Sequence, residues 1–253
     1  MNRWFSMGLV GLIALALALP AGAVTRNWDA GSGWWDTASN WDPAGHPRAN
    51  DRIYMDQNDA TNRLVRYWSD YPDEVLYSVE VNATWTGTMT FQMGSGFTLK
   101  SRYMTIGDNG LGIVNSTWGS LEIQDDLILG GRGLDGSVGR LTLSSDGDLI
   151  VKKRAFVGEE GGEDGNPSYI DQTATDADIY MLHVGYMGWG EYRLHSGTLD
   201  TDSCYVGSEG GHGLFTQNGG THTISSSALP APELTIGSSF ISKSWGKYVI
   251  NAG

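Results

Sequence analysis

The sequence predicts an all-β chain, specifically a right-handed parallel β-helix (solenoid) with a Trp-rich N-terminal cap. Three observations carry that prediction. Apolar and polar residues alternate over short stretches such as Arg140-Leu141-Thr142-Leu143 and Tyr192-Arg193-Leu194, which is the period of a strand with one buried face. No window shows a helical period. Glycine is abundant, 36 of 253 residues against a usual share of ~7%, and it recurs at regular intervals.

Taken in chain order, residues 1–23 read as a signal peptide. Arg3 supplies a basic start, Met7 to Leu19 is an unbroken run of apolar residues and Gly, and Pro20-Ala21-Gly22-Ala23 places small residues where signal peptidase reads. Cleavage is expected after Ala23. The apolar run is shorter than the ~20 residues that cross a bilayer, so no membrane span is expected after cleavage, and the protein is read as secreted or held at the cell surface. Lipoprotein processing needs a Cys just after the run, and the single Cys of the chain is Cys204. One Cys also forbids an intrachain disulfide, so packing and hydrogen bonds must hold the exported chain together. Cys204 itself reads as a small strand residue.

Residues 24–86 are expected to form a Trp-rich cap and an irregular first segment. Trp28, Trp34, Trp35 and Trp41 cluster there, and Trp68 and Trp85 extend the same stretch. An open solenoid end exposes strand edges and core, and large amphipathic rings suit the task of covering it.

Residues 87–253 are expected to form β-helix repeats of about 26 residues. One phrase is Gly-x-apolar-x followed by an apolar residue or Gln, two more residues and Gly: Gly87 to Gly94, Gly190 to Gly197, Gly213 to Gly220 and Gly246 to Gly253, with looser copies from Gly119 and Gly139. A degenerate copy near Ser168-Tyr-Ile-Asp-Gln172 completes the series. A second phrase, an aliphatic residue followed by Gly, alternates with the first at Ile106-Gly107, Leu129-Gly130, Val157-Gly158, Val184-Gly185, Val206-Gly207 and Ile236-Gly237. The glycines of that series are 23, 28, 27, 22 and 30 residues apart. Such a unit cannot bury its apolar face alone. In-register stacking of successive units makes continuous inward ladders, and variable spacing is absorbed in corner loops. Propeller blades need ~40 residues each, too many for this period.

The phrases resemble the glycine-rich repeat of bacterial exported proteins associated with type V secretion (autotransporter) passengers and with PEP-CTERM surface proteins. Val184 to Leu199 is the best match, Val206 to Gly220 follows it, and Asn27-Trp28, Gly33-Trp34 and Ser39-Asn40-Trp41 resemble the family's opening. The resemblance implies a β-helix and an exported setting, and it brings no catalytic residue with it. The chain shows neither a C-terminal PEP-CTERM anchor nor an autotransporter barrel.

Charge narrows the partners. There are 16 Lys and Arg against 29 Asp and Glu, a net charge of −13, with no basic cluster. No nucleic acid is expected as a partner; an extracellular glycan or a second copy of the chain is. The candidate glycan contacts are Trp34, Trp35 and Trp41, against the alternative that these rings only cap the first coil. Gly130 to Asp135 fits the first six positions of a calcium-binding nonapeptide. Ser137 then stands where an apolar residue belongs, and Gly210 to Phe215 lacks the Asp, so a plain turn is expected and no cofactor or metal is assigned; calcium is the one ion with any motif behind it. Glu159, Glu160, Glu163, Asp164, Asp171, Asp176 and Asp178 read as a solvated corner loop. A polysaccharide lyase would draw on Asp146, Asp148, Lys152 and Arg154. Nothing in the sequence fixes those four into a cleft, and His46, His183, His195, His212 and His222 show no nucleophile partner and no metal spacing. The function read from the sequence is thus an exported, non-enzymatic structural or adhesive surface protein. The alternative is a polysaccharide-binding module or polysaccharide-degrading enzyme on the same scaffold. End-to-end self-association is expected from the strand edge of the last coil.

Overall fold

The structure, a computed structural model, describes residues 22–68, 74–131, 136–145, 147–161, 166–225, 232–238 and 244–251. Residues 1–21, Arg132 to Asp135, Asp146, Glu163, Asp164 and Gly253 lie outside the described residues. Within them the chain is a parallel β-solenoid whose two sheets face each other across one core.

The first wall stacks Thr25–Trp28, Arg52–Gln57, Val75–Ala83, Thr98–Ile106, the pair Ser120–Ile123 and Asp126–Leu129, Leu149–Val157, Thr175–Val184, Gly197–Ser208, and the pair Thr221–Ile224 and Glu233–Ser238. The second wall stacks Gly33–Trp34, Arg63–Tyr67, Met89–Met93, Leu111–Thr117, Val138–Ser144, Ser168–Thr173, Trp189–Leu194, His212–Gln217 and Trp245–Ile250. These levels are numbered coils 1 to 9 below. About seven turns, coils 2 to 8, are the body of the solenoid. A two-residue strand, Trp41–Asp42, pairs antiparallel with Thr25–Trp28 on the outer edge of coil 1.

Period-2 alternation puts one residue in two inside, and register turns those residues into rows. In the second wall one inward row runs Val65, Phe91, Val114, Leu141, Ile170, Tyr192, Phe215 and Tyr248, each paired with the next. In the first wall another runs Met55, Val81, Ile106, Leu129, Val157, Val184, Val206 and Ile236. From Met55 to Val206 that row is fully buried, and each such side chain contributes roughly 1.5–3 kcal/mol of transfer free energy. Cys204 is a buried, free thiol in the row between Leu182 and Leu234, the small strand residue expected.

The aliphatic-Gly phrase is in register at every copy. Its glycines occupy one corner, as Gly185 shows: φ is +70°, and a Cβ there would drive into the His212 carbonyl. Gly190 opens the next strand and faces it; a Cβ on Gly190 would strike the Val157 carbonyl and the Gly185 nitrogen. One glycine therefore makes the left-handed turn and the other lets the following strand pack over it.

The other phrase needs two corrections. Met89, rather than Gly87, is the register partner of Gly112, so the first copy is offset by two residues. The Gly119 phrase belongs to the first wall, where Leu121 pairs with Leu99 and Leu149; the second-wall strand of that coil is Val138–Ser144. Any half-buried strand beside a tight corner yields Gly-x-apolar-x-apolar, so the phrase alone does not say which wall it is in. The degenerate copy does hold, with Ser168 opposite Gly190.

The stretch expected to be irregular also differs. Arg52–Gln57, Arg63–Tyr67 and Val75–Ala83 stack parallel like the later coils. Their corner is built without the left-handed glycine: Asp56 and Asn82 continue the first-wall strands past the point where Gly107 turns in coil 4.

Candidate functional site

The N-terminal tryptophans divide by burial. Trp28, Trp35 and Trp41 are buried, with Trp41 edge-on to both Trp28 and Trp35, at centroid distances of 5.0 and 4.9 Å. Trp35 also meets Tyr67 and Phe91, and its carbonyl accepts a hydrogen bond from Trp41 Nε1 at 2.7 Å. The proposed sugar platform of Trp34, Trp35 and Trp41 is therefore corrected. Trp35 and Trp41 are each 2% exposed and offer no ring face, while Trp34 is 48% exposed. Alternation along the chain sends adjacent Trp34 and Trp35 to opposite sides of the wall. Trp68, Trp85 and Trp118 are the other exposed indoles among the described residues with large exposed apolar surface, apart from Trp245.

The residues a lyase would use are committed elsewhere. A register shift between Val151 and Arg154 leaves Lys152, Lys153 and Arg154 all outward. Lys152 Nζ donates to Glu122 at 2.7 Å, Lys153 pairs with Asp125, and Arg154 grips Asp126 through two hydrogen bonds of 3.0 and 2.7 Å. Hydrogen bonding from Lys152 holds the Glu122 carboxyl below its usual range, and Lys153 does the same to Asp125. The Arg154 guanidinium is held charged chiefly by Asp126. Bases in service as ion-pair cations are not poised to take a proton.

The five described members of the acidic set read as one corner loop are dispersed by the fold. Glu159 and Glu160 are at a corner; Asp171 is on the second wall, 3.1 Å from His195 Nε2; Asp176 and Asp178 are on the first wall. Asp178 is instead the register partner of Asp200, and Asp176 hydrogen-bonds Thr198. Asp148, Asp176, Asp178, Asp200 and Asp202 so form an acidic face over coils 6 to 8, with two clefts of about 330 and 240 Å³. Burial, then the charges of Asp200 and Asp202, push the Asp178 carboxyl up. Sequence reading missed Asp200 and Asp202, although Asp176-Ala-Asp178 and Asp200-Thr-Asp202 stand one repeat apart. Among the described residues no group of three or more His, Cys, Asp or Glu is arranged to hold a metal ion.

Two histidines are structural. His183 is stacked between Phe156 and Tyr205 at 4.9 and 4.8 Å; burial, aided by Arg154, lowers its pKa to about 4. His222 stacks on Phe215 inside the last coils, between Tyr248 Oη at 2.9 Å and Thr201 Oγ1 at 3.1 Å, and burial takes it to about 4 as well.

The N-terminal coils hold the other notable chemistry. Glu80, on the first wall, is pushed up to about 7 by burial and by the nearby charges of Asp108 and Asp56. Asp56 lines a cleft of about 340 Å³ together with Trp28, Asp29, Ala30, Gln57, Asn58 and Arg63. A second cleft of about 320 Å³ lies on the outward side of the second wall, among Asn62, Arg63, Leu64, Thr88, Thr90, Gln92 and Asn115. Arg63 lines both. Comparison of the chain with protein-family models, with curated proteins and with solved structures found no match.

Proposed function

We propose that the chain is an exported, non-enzymatic repeat protein that serves a structural or adhesive role at the cell surface. The observation that carries this reading is the solenoid: about seven turns on continuous core rows make a stiff rod with different chemistry on each outward face. The leader-like residues 1–23 and the resemblance of the glycine phrases to autotransporter passengers and PEP-CTERM proteins support the setting. In this reading the winding is right-handed, the hand that parallel crossovers favour, and Trp28, Trp35 and Trp41 close the N-terminal end. Exposed Leu234, Ile236 and Ile250 extend core rows beyond coil 8 and support association with a second copy. Expression in a Gram-negative host tests the export. A mature protein starting at Val24 and removed from whole cells by external protease is expected; an intact Met1 in the cytoplasm defeats the proposal.

A second reading, a polysaccharide-degrading enzyme, is favoured by one observation. Burial and the nearby charges of Asp108 and Asp56 push Glu80 up to about 7, burial also raises Asp56, which lines a cleft, and two neighbouring carboxyls are the groups that glycosidases use. Release of reducing ends from a glycan, abolished by Glu80→Gln, would establish it. Unchanged substrate with wild-type protein rejects it.

A further inference from the structure

We propose that the outward face of the second wall in coils 1 to 4 binds a neutral glycan chain. This deepens the adhesive reading, on which it rests for its biological setting. Its core is a row of four side chains from four consecutive coils: Trp34 pairs with Arg66, Arg66 with Gln92, and Gln92 with Asn115. Parallel stacking spaces them ~4.8 Å apart, so the row runs ~14 Å along the rod.

Each member suits a sugar. Trp34 is 48% exposed, and its ring is fixed edge-on to Trp68 at 5.4 Å, which leaves an apolar surface for the C–H face of a pyranose. The Arg66 guanidinium lies 5.7 Å from the Trp34 ring centroid and has no carboxylate partner among the described residues. Gln92 and Asn115 each carry a donor and an acceptor, the match for a hydroxyl that is both. They line the 320 Å³ cleft with Thr90, a further hydroxyl.

The extent of the site points to a chain. At Arg63 the cleft adjoins the 340 Å³ cleft of Asp56, Gln57 and Asn58, so the polar surface turns the corner between the walls. At that junction Gln57 Nε2 donates to the Thr61 carbonyl and Arg63 Nη2 to Asp59, which fixes both side chains where the two clefts meet. Apart from Arg66, the charge around the row is acidic or already paired, which favours a neutral ligand. Arg63 is taken by Asp59 at 2.7 Å, Asp29 and Asp56 line the first cleft, and the whole chain carries −13, all unfavourable to a polyuronate.

The test is calorimetric titration of the full chain with soluble neutral polysaccharides (a β-glucan, a mannan and a galactan) and with a polyuronate. Binding of at least one neutral polymer is expected. Gln92→Ala combined with Asn115→Ala should weaken it about tenfold or more, as should Trp34→Ala, while Asp200→Asn on the other wall stays within about twofold. The two amides are outward, so their variant retains the wild-type thermal transition and decides the matter even if Trp34→Ala unfolds. No neutral polymer bound, a polyuronate alone bound, or an amide variant that binds like wild type would each overturn the proposal. Adhesion of cells displaying the protein separates the two readings. Cells that adhere equally with the amide variant keep the adhesive role and lose this site; purified protein that binds through the row while displaying cells do not adhere keeps the site and loses the role.

Discussion

Coils 1 to 3 and coils 4 to 9 solve the same problem with different residues. From coil 4 onward the first-wall strand reaches its corner with an aliphatic residue and a left-handed glycine, and, except in the Val138–Ser144 to Ser168–Thr173 step where Ser168 stands in, a second glycine faces it from the next strand. In coils 2 and 3 the strand runs on through Asp56 and Asn82, and the volume near the chain start is filled by Trp28, Trp35, Trp41, Tyr67 and Phe91. The two regions share inward rows and differ in their corners. Core pattern is therefore common to the rod, while corner geometry is local, and a corner that dispenses with glycine frees its residues for polar side chains. Both N-terminal clefts lie where that has happened.

The sharpest break in this comparison is expected on the N-terminal side. Trp35→Ala removes a 2% exposed indole that contacts Trp41, Tyr67 and Phe91, and a loss of about 3–5 kcal/mol should appear in denaturant unfolding. Trp34→Ala, one residue away and on the outer side, should cost under about 1 kcal/mol by the same measurement. Equal losses would contradict the division of the cluster into buried and exposed rings.

The C-terminal counterpart is Gly185→Ala. The added methyl meets the His212 carbonyl at a φ of +70°, and the nearest atoms, of His212 and Gly213, are all backbone, so no flexible group can yield. Strain and overpacking together predict a loss of about 3 kcal/mol, against less than about 1 kcal/mol for Gly96→Ala, where φ is also positive but a Cβ meets nothing within 4 Å. Chemical denaturation of the pair separates close approach from dihedral preference.

The two regions were unequally legible in the sequence, for the same physical reason. Where a corner demands glycine, as at Gly107 through Gly237, the demand is written as an aliphatic-Gly pair once per coil, 22 to 30 residues apart, and those pairs are in register. Where Asp56 and Asn82 carry the chain round, no residue type marks the corner, and residues 24–86 looked irregular though they stack like the rest. Sites were less legible still. Trp34 and Trp35 are indistinguishable as letters, and only the side of the wall separates a ligand surface from a core. The row Trp34, Arg66, Gln92 and Asn115 joins residues 23 to 32 positions apart in a stretch with no glycine period to reveal their alignment. Lys152 and Arg154 appeared available because their partners, Glu122 and Asp126, belong to the coil before.

Acid and base should also act on different regions. His183 in coil 7 has a folded pKa of about 4 against ~6.5 unfolded, so its contribution is intact above pH 6.5 and is lost as the pH falls from there through 4. Because the imidazole is buried, the loss is on the order of 2 kcal/mol. His183→Phe keeps the stack between Phe156 and Tyr205 and should flatten that part of the acid limb in thermal melts at pH 7 and pH 4. An acid limb unchanged by the substitution would place the sensitivity elsewhere.

Glu80 in coil 3 runs the other way and has the smallest expected effect. Its folded pKa of about 7 exceeds the unfolded value of ~4.3, so the folded state holds the proton more tightly between the two. The favourable contribution is present below about pH 4.3 and falls away as pH rises through 7, where the ionised carboxyl faces Asp56 and Asp108. The side chain is partly open to solvent, so screening limits the effect to on the order of 1 kcal/mol. Glu80→Gln, which removes the charge and keeps the shape, should raise the melting temperature at pH 8 and leave it nearly unchanged at pH 4. A gain of equal size at both values would mean that Glu80 is not ionising against its two neighbours, and the proximity of these three carboxyls would then have no electrostatic consequence for the glycine-free corner.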